Sequence, residues 1–211
     1  MAMYFVFQST FLSWRNHMLW AEIQGGRPHF PEYKPDWWAA QPLESPLPHF
    51  TFMMNEKAPK PDNYNTGTEF DLYSPRLIRI FREAGIPYEP FPAYIVDRKS
   101  KKPLDVEYEI FHLLEMATGI DVDKSDFDTE SPYDIRHLVM SDERFYQGKL
   151  LFRDQKFIQL VLMHEHLKQQ LERVGITGCA YTPVEEYVVG KLAWEKYAQR
   201  LAADITAKQS S

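Results

Sequence analysis

The chain has 211 residues, 44% hydrophobic and 26% charged, with a formal net charge of −6; that length supports one domain with a sizeable core, and that composition argues against disorder. The negative charge disfavours attraction to phosphate backbones, so no nucleic-acid partner is expected. One cysteine, Cys179, cannot form an internal disulfide and fits a reducing compartment, and no apolar stretch reaches bilayer length, so a cytoplasmic protein without a membrane partner is expected.

The first residues, MAMYFVFQSTFLSWR, lack a basic region ahead of their apolar run, and Gln8, Ser9 and Thr10 break that run. They read as a strand and not as a signal peptide. Thirteen of the fifteen prolines fall between Pro28 and Pro103. The stretches PHFPEYKPDWW and PLESPLPHF are too rich in proline for long regular elements, and read as an irregular arm pinned by Phe30, Tyr33, Trp37 and Trp38. Phe50–Met54 is a short strand within this region, and Lys57–Thr68 a turn-rich loop.

Ser74-Pro75 starts a helix, with serine as N-cap and proline at the first helical position. Leu77, Ile78, Phe81 and Ala84 form its buried stripe, and Gly85 before Pro87 ends it. Ala93–Val96 and Val106–Leu113 read as strands joined by an exposed charged loop, hence a hairpin; Ile135–Met140 and Leu150–Phe152 are further strands.

The segment FIQLVLMHEHLKQQLERVGITGCAYTP, Phe157 to Pro183, has the clearest pattern. An apolar, β-prone run to Met163 precedes Leu167, Leu171 and Val174 at helical spacing, with Glu165, Lys168, Glu172 and Arg173 left for water. Gly175 falls where a helix wants a left-handed residue past its end, and Ile176-Thr177-Gly178 turns the chain into Cys179-Ala180-Tyr181. A last helix is expected from about Pro183 to Ala207, weakened by Gly190.

No internal repeat or low-complexity tract is visible. Strands and helices do not alternate strictly, so the expected class is α+β: a mixed or antiparallel sheet, a few packed helices and an irregular Pro/Trp-rich N-terminal arm. Residues 1–68 hold the first strand and the wrapping segment, and 69–207 the core with its closing helix, together one compact domain.

His164-Glu165-His166 is not the helical zinc motif, whose histidines stand four apart, and the sequence places no third ligand. The alternatives are a metal site here or a histidine capping the helix start. Asp121, Asp123 and Ser125 begin like a calcium loop, but Asp126 replaces the turn glycine and Pro132 the bidentate glutamate. The run is either a solvated loop or a negative patch, Asp121, Asp123, Asp126, Asp128 and Glu130, that steers a basic partner. Phe30, Tyr33, Trp37 and Trp38 either anchor the wrapping arm or stack a sugar or peptide. Cys179, on a strand with nothing to activate it, reads as a core residue and not a nucleophile. No phosphate loop, dinucleotide fingerprint, nucleophile elbow or paired-cysteine metal site appears, so neither an enzyme nor a cofactor is expected.

The strand FIQLVLM, the helix EHLKQQLERV and the turn GITG leading to CAYTP resemble the C-terminal signature of a family of bacterial immunity proteins, the myxobacterial-type group numbered eleven in the polymorphic-toxin immunity series. Tyr108–Leu113 followed by Ile120-Asp121 and Ser125, and the step Leu151-Phe152-Arg153, are similar to two further stretches of that family. The likeness spans about Phe70 to Glu186; His164 stands where the family often has a small hydroxyl residue. The resemblance implies a non-catalytic protein that binds a cognate secreted toxin, encoded by an adjacent gene, and occludes its active site. Such effector–immunity pairs serve interbacterial competition, as in type VI secretion. The acidic run and Tyr33, Trp37 and Trp38 are then the candidate toxin-binding residues. The alternative is a small intracellular metalloprotein or hydrolase using His164, His166 and nearby acids.

Overall fold

A computed structural model describes residues 3–10, 20–23 (backbone only), 37–43, 50–66, 70–128 and 134–190. The strands in the first half are β1 (Tyr4–Ser9), β2 (Trp20–Ile23), β3 (Phe50–Met54), β4 (Asn63–Tyr64), β5 (Leu72–Tyr73), β6 (Tyr88–Asp97) and β7 (Tyr108–Leu113). Those after it are β8 (Met116–Ala117), β9 (Asp126–Phe127), β10 (Ile135–His137), β11 (Leu151–Asp154), β12 (Val161–His164) and β13 (Cys179–Pro183). Helix α1 spans Pro75–Glu83 and α2 spans Glu165–Arg173. The class is α+β.

The strands form a five-stranded sheet in the order β13-β1-β12-β11-β8, a six-stranded sheet in the order β2-β3-β6-β7-β5-β4, and a ribbon of β9 with β10. Both large sheets are mixed: β8 runs parallel to β11 and β3 parallel to β6, with the other pairs antiparallel. The N-terminal strand lies between β12 and β13, so the two ends of the described chain close one sheet.

Alternation along the strands sorts the apolar side chains into three cores. Phe7, Leu151 and Met163 of the five-stranded sheet meet Tyr73, Phe111 and Leu113 of the six-stranded sheet, with Leu77, Ile78, Phe81, Leu167 and Leu171 of the helices between them. The opposite face of the five-stranded sheet packs Tyr4, Val6, Phe152 and Leu162 on Ile120, Ile135, Leu138 and Val184. The opposite face of the six-stranded sheet packs Phe50, Phe52, Leu72 and Ile110 on Trp37, Tyr64 and Phe70. The first of these cores joins the two sheets, which makes the described residues one packed unit.

Local chemistry explains the helices. Ser74 Oγ accepts from Leu77 N at 3.2 Å and caps α1; His164 Nδ1 accepts from His166 N at 3.0 Å and caps α2. Each helix ends on a glycine at positive φ, 71° at Gly85 and 69° at Gly175, and each closes with the same pair of backbone bonds. Gly85 N reaches Arg82 O and Ile86 N reaches Phe81 O; Gly175 N reaches Glu172 O and Ile176 N reaches Leu171 O. Leu72 to Ile86 matches Leu162 to Ile176 in plan at an offset of 90, a structural repetition that is faint in the sequence.

Several expectations are corrected. The apolar run from Phe157 is not one strand: Phe157 and Leu160 are buried in a turn, and β12 begins only at Val161. Asp154 causes this by accepting from Lys156 N and Phe157 N, which folds the chain back before pairing resumes. The expected helix from Pro183 is not formed over its described part. Val184–Glu186 is a single 3₁₀ turn, after which Val189 bridges Ile135, and residues 191–207 lie outside the described set. Ile135–Met140 pairs only over Ile135–His137, with Met140 bridging Ile120. The expected hairpin is present as β6 and β7, and β6 starts earlier than its prolines suggest. Pro90 and Pro92 fall where β6 pairs with β7 alone, before β3 joins at Ala93, so their missing N–H groups cost no ladder bond on the open side.

Candidate functional site

β11 reads Leu-Phe-Arg-Asp, so a strand buried on both faces must place two ionisable side chains in apolar surroundings. Asp154, 1% exposed, is fully employed: Oδ2 accepts from Gly119 N and Ile120 N at 2.9 Å each, and Oδ1 from Lys156 N and Phe157 N. Arg153 is different. It shares its sheet face with Leu151, pairs across with Val161, and is 7% exposed. Nη1 donates to Ile158 O at 2.5 Å, while Nε is buried with no partner. A buried N–H left unmade costs about 1–3 kcal/mol.

The side chain borders a cleft of about 280 Å³ between the two large sheets. Phe7, Leu151 and Val161 line it from the five-stranded sheet, Tyr73 and Phe111 from the six-stranded sheet, and Asp71 from the residue just before β5. Ser9 Oγ donates to Asp71 Oδ1 at 3.3 Å and accepts from Asn65 Nδ2 at 2.8 Å. Trp38, half-buried, lies over Arg153 with the guanidinium carbon 5.0 Å from its ring centroid, a cation–π arrangement. Among the described residues no ion pair joins Arg153 to Asp71.

The electrostatics follow from burial. The Asp71 carboxyl is pushed up to about 7 by desolvation, against the opposing pull of the Ser9 bond and the Arg153 charge. Desolvation likewise lowers Arg153 to about 10, which leaves it cationic at neutral pH, and raises the Tyr73 phenol well above its usual value. At neutral pH the cleft therefore holds one full positive charge facing a carboxyl near its midpoint.

Trp37 is fixed from behind. His112 is fully buried and stacks on Trp37, with centroids 4.2 Å apart and planes at 11°. Nε2 donates to Trp37 O at 3.3 Å, since a carbonyl only accepts, and Nδ1 stands 3.4 Å from Glu89 Oε2. Burial pulls the His112 pKa down, with the Glu89 carboxylate opposing. Glu89 also accepts from Leu43 N at 3.1 Å, so β6 and β7 together hold the Trp37–Leu43 stretch that carries Trp38.

The residues singled out in the sequence are scattered. Trp37 is 3% exposed and belongs to the core around Phe70, and both it and the less buried Trp38 border the cleft. Tyr33 and Glu130 lie outside the described residues. Asp121 organises its own loop, accepting from Asp123 N and Lys124 N and pairing with Lys124 Nζ at 2.7 Å. Asp126 pairs with Arg136 at 2.5 Å, Asp123 is exposed, and Asp128 is half-buried with its backbone N–H on Asp134 O. The loop is thus an ordered acidic surface whose charge Lys124 and Arg136 partly offset.

His164 is the helix cap, which matches one of the two readings of the histidine pair. Among the described residues no group of three or more His, Cys, Asp or Glu side chains could hold a metal. Cys179 is partly buried, and desolvation raises its thiol to about 11, the opposite of an activated nucleophile. Sequence reasoning passed over Arg153, Asp71 and His112. An arginine inside the apolar strand Leu151–Asp154 was the available clue, but Asp71 and Trp38 lie 82 and more residues away from it and only the fold brings them together.

No family model matches the chain, and no curated protein matches its sequence.

Proposed function

We propose that this protein is an immunity protein: it binds a cognate bacterial toxin in the cell that makes both, and neutralises it by covering the toxin's active site. The observation that carries the reading is the sequence of Phe157–Pro183, in which FIQLVLM, EHLKQQLERV and GITG leading to CAYTP resemble the immunity-family signature. That segment is framework, so the contact surface lies elsewhere. The acidic loop is the favoured surface, because its backbone is held in place by Asp121 and by Ser125 Oγ, which donates to Asp121 O and accepts from Val139 N. A preordered charged loop accelerates encounter with a basic partner and loses less entropy on binding.

The test is co-expression with the product of the adjacent gene. Co-purification and survival of cells carrying both genes are expected, and reversing Asp121, Asp123, Asp126 and Asp128 to lysine should slow association at least tenfold at low salt. A toxin that still kills cells containing this protein would overturn the reading.

A further inference from the structure

The cleft between the sheets is not needed for the toxin reading, and three of its features point to a ligand. A side chain nine-tenths buried, Arg153, borders it with one N–H unpartnered. With Nη1 already on Ile158 O and Nε enclosed, Nη2 is the guanidinium N–H group left to meet a carboxylate in the cleft through a charge-assisted bond. The indole of Trp38 and the rings of Phe7 and Phe111 supply flat apolar walls. We propose that this cleft is a binding site for a small planar monocarboxylate, its carboxylate on Arg153 and its ring beside Trp38.

Size and charge narrow the class. A volume of about 280 Å³ sits at the low end of ligand cavities, which suits a single ring with one substituent. Arg153 balances one negative charge, and Asp71 on the facing wall disfavours a dianion such as a phosphate monoester. Ser9 and Asn65, already bonded to one another and to Asp71, add polar groups to the lining of the cleft.

The experiment uses the full chain with benzoate as probe, read by thermal shift and by tryptophan fluorescence. Benzamide, benzylamine, phenyl phosphate and sodium chloride at matched ionic strength serve as controls. Benzoate should raise the melting temperature and change the fluorescence in a saturable way, with the controls at least tenfold weaker. Arg153→Gln should abolish the response. Because the fold also depends on that buried position, Trp38→Leu at the half-exposed rim provides a second variant, expected to fold and to weaken benzoate several-fold by thermal shift. No benzoate response in the unaltered protein overturns the proposal. So does a response equalled by benzamide, or one that survives intact in both variants. The toxin assay is unaffected by any of these outcomes, so the two readings fail separately.

Discussion

The two units at an offset of 90 residues share a plan and differ in how they are held. In the first, α1 buries Leu77, Ile78, Ile80 and Phe81, a side chain in nearly every turn, and Ile86 beyond its glycine is buried too. In the second, α2 buries only Leu167 and Leu171, Ile176 is partly exposed, and the outer face is laced by Lys168–Glu172 and Gln169–Glu165 contacts four residues apart. With a buried aliphatic or aromatic side chain contributing about 1.5–3 kcal/mol, α1 is held by burial and α2 leans on its caps and neighbours. The same backbone plan thus tolerates two different balances of forces, which is why the two units share only Leu72/Leu162, Leu77/Leu167, Gly85/Gly175 and Ile86/Ile176.

The largest expected effect breaks that contrast at its centre. Phe81→Ala should cost about 3–5 kcal/mol and its counterpart Leu171→Ala about 2–4, measured by urea unfolding. Equal losses would mean that α2 is as deeply embedded as α1.

Next in size is the link between the units. Asp62 accepts from Ser74 Oγ at 2.7 Å at the start of α1, and from Thr177 N at 2.9 Å and Thr177 Oγ at 3.0 Å past the end of α2. Arg76, 3.5 Å from Asp62, also donates to Val174 O and Gly175 O, clamping the same junction. Burial works against ionisation of Asp62, but the bonds from Thr177 and Ser74 and the Arg76 charge outweigh it and hold the carboxyl below its usual range. A depressed folded-state value means the stabilisation is present above the unfolded value near 4 and is lost as pH falls through the folded one. Asp62→Asn should therefore cost about 1–3 kcal/mol at neutral pH and progressively less in acid, read from denaturation midpoints at several pH values. A loss independent of pH would show that the carboxylate's charge is irrelevant.

Asp71 carries the opposite sign. Its folded value near 7 lies above the unfolded one, so its contribution is fully present below about pH 4 and is lost as pH rises through 7. Asp71→Asn should flatten that decline, leaving the variant relatively more stable at pH 8 than at pH 5.

What was legible in the sequence was local. Ser74-Pro75, Gly85 and Gly175 are each set by neighbours within a few positions, the Tyr4 strand and the β6–β7 hairpin by their own residue patterns, and each is found in the structure. Tertiary partners decided the rest. The Phe157 run looked like a strand because its burial is real, yet a carboxylate on β11 turns it; Val184 looked like a helix start because it too is buried, yet it packs on the face beneath Ile135. The cleft was illegible for the same reason, since Asp71, Trp38 and Arg153 share no spacing rule.

The smallest effect separates the two caps chemically. Ser74 cannot titrate in the range where proteins stay folded, but the His164 cap accepts through Nδ1, so the proton of the neutral ring is on Nε2 and protonation would remove the acceptor. Burial and then the neighbouring His166 lower the His164 pKa, with Glu165 and Glu143 opposing. Neutral histidine is thus favoured on folding, and its stabilisation is present above the unfolded value near 6.5 and lost as pH falls through the folded one. His164→Asn keeps a capping acceptor that does not titrate, so it should be within about 0.5 kcal/mol of the parent at pH 8 and should gain on it by up to about 1 kcal/mol at pH 5. Ser74→Asn should show no such crossing. If both variants respond to pH alike, the histidine is not acting as an acceptor at the start of α2, and the second unit is held by burial after all.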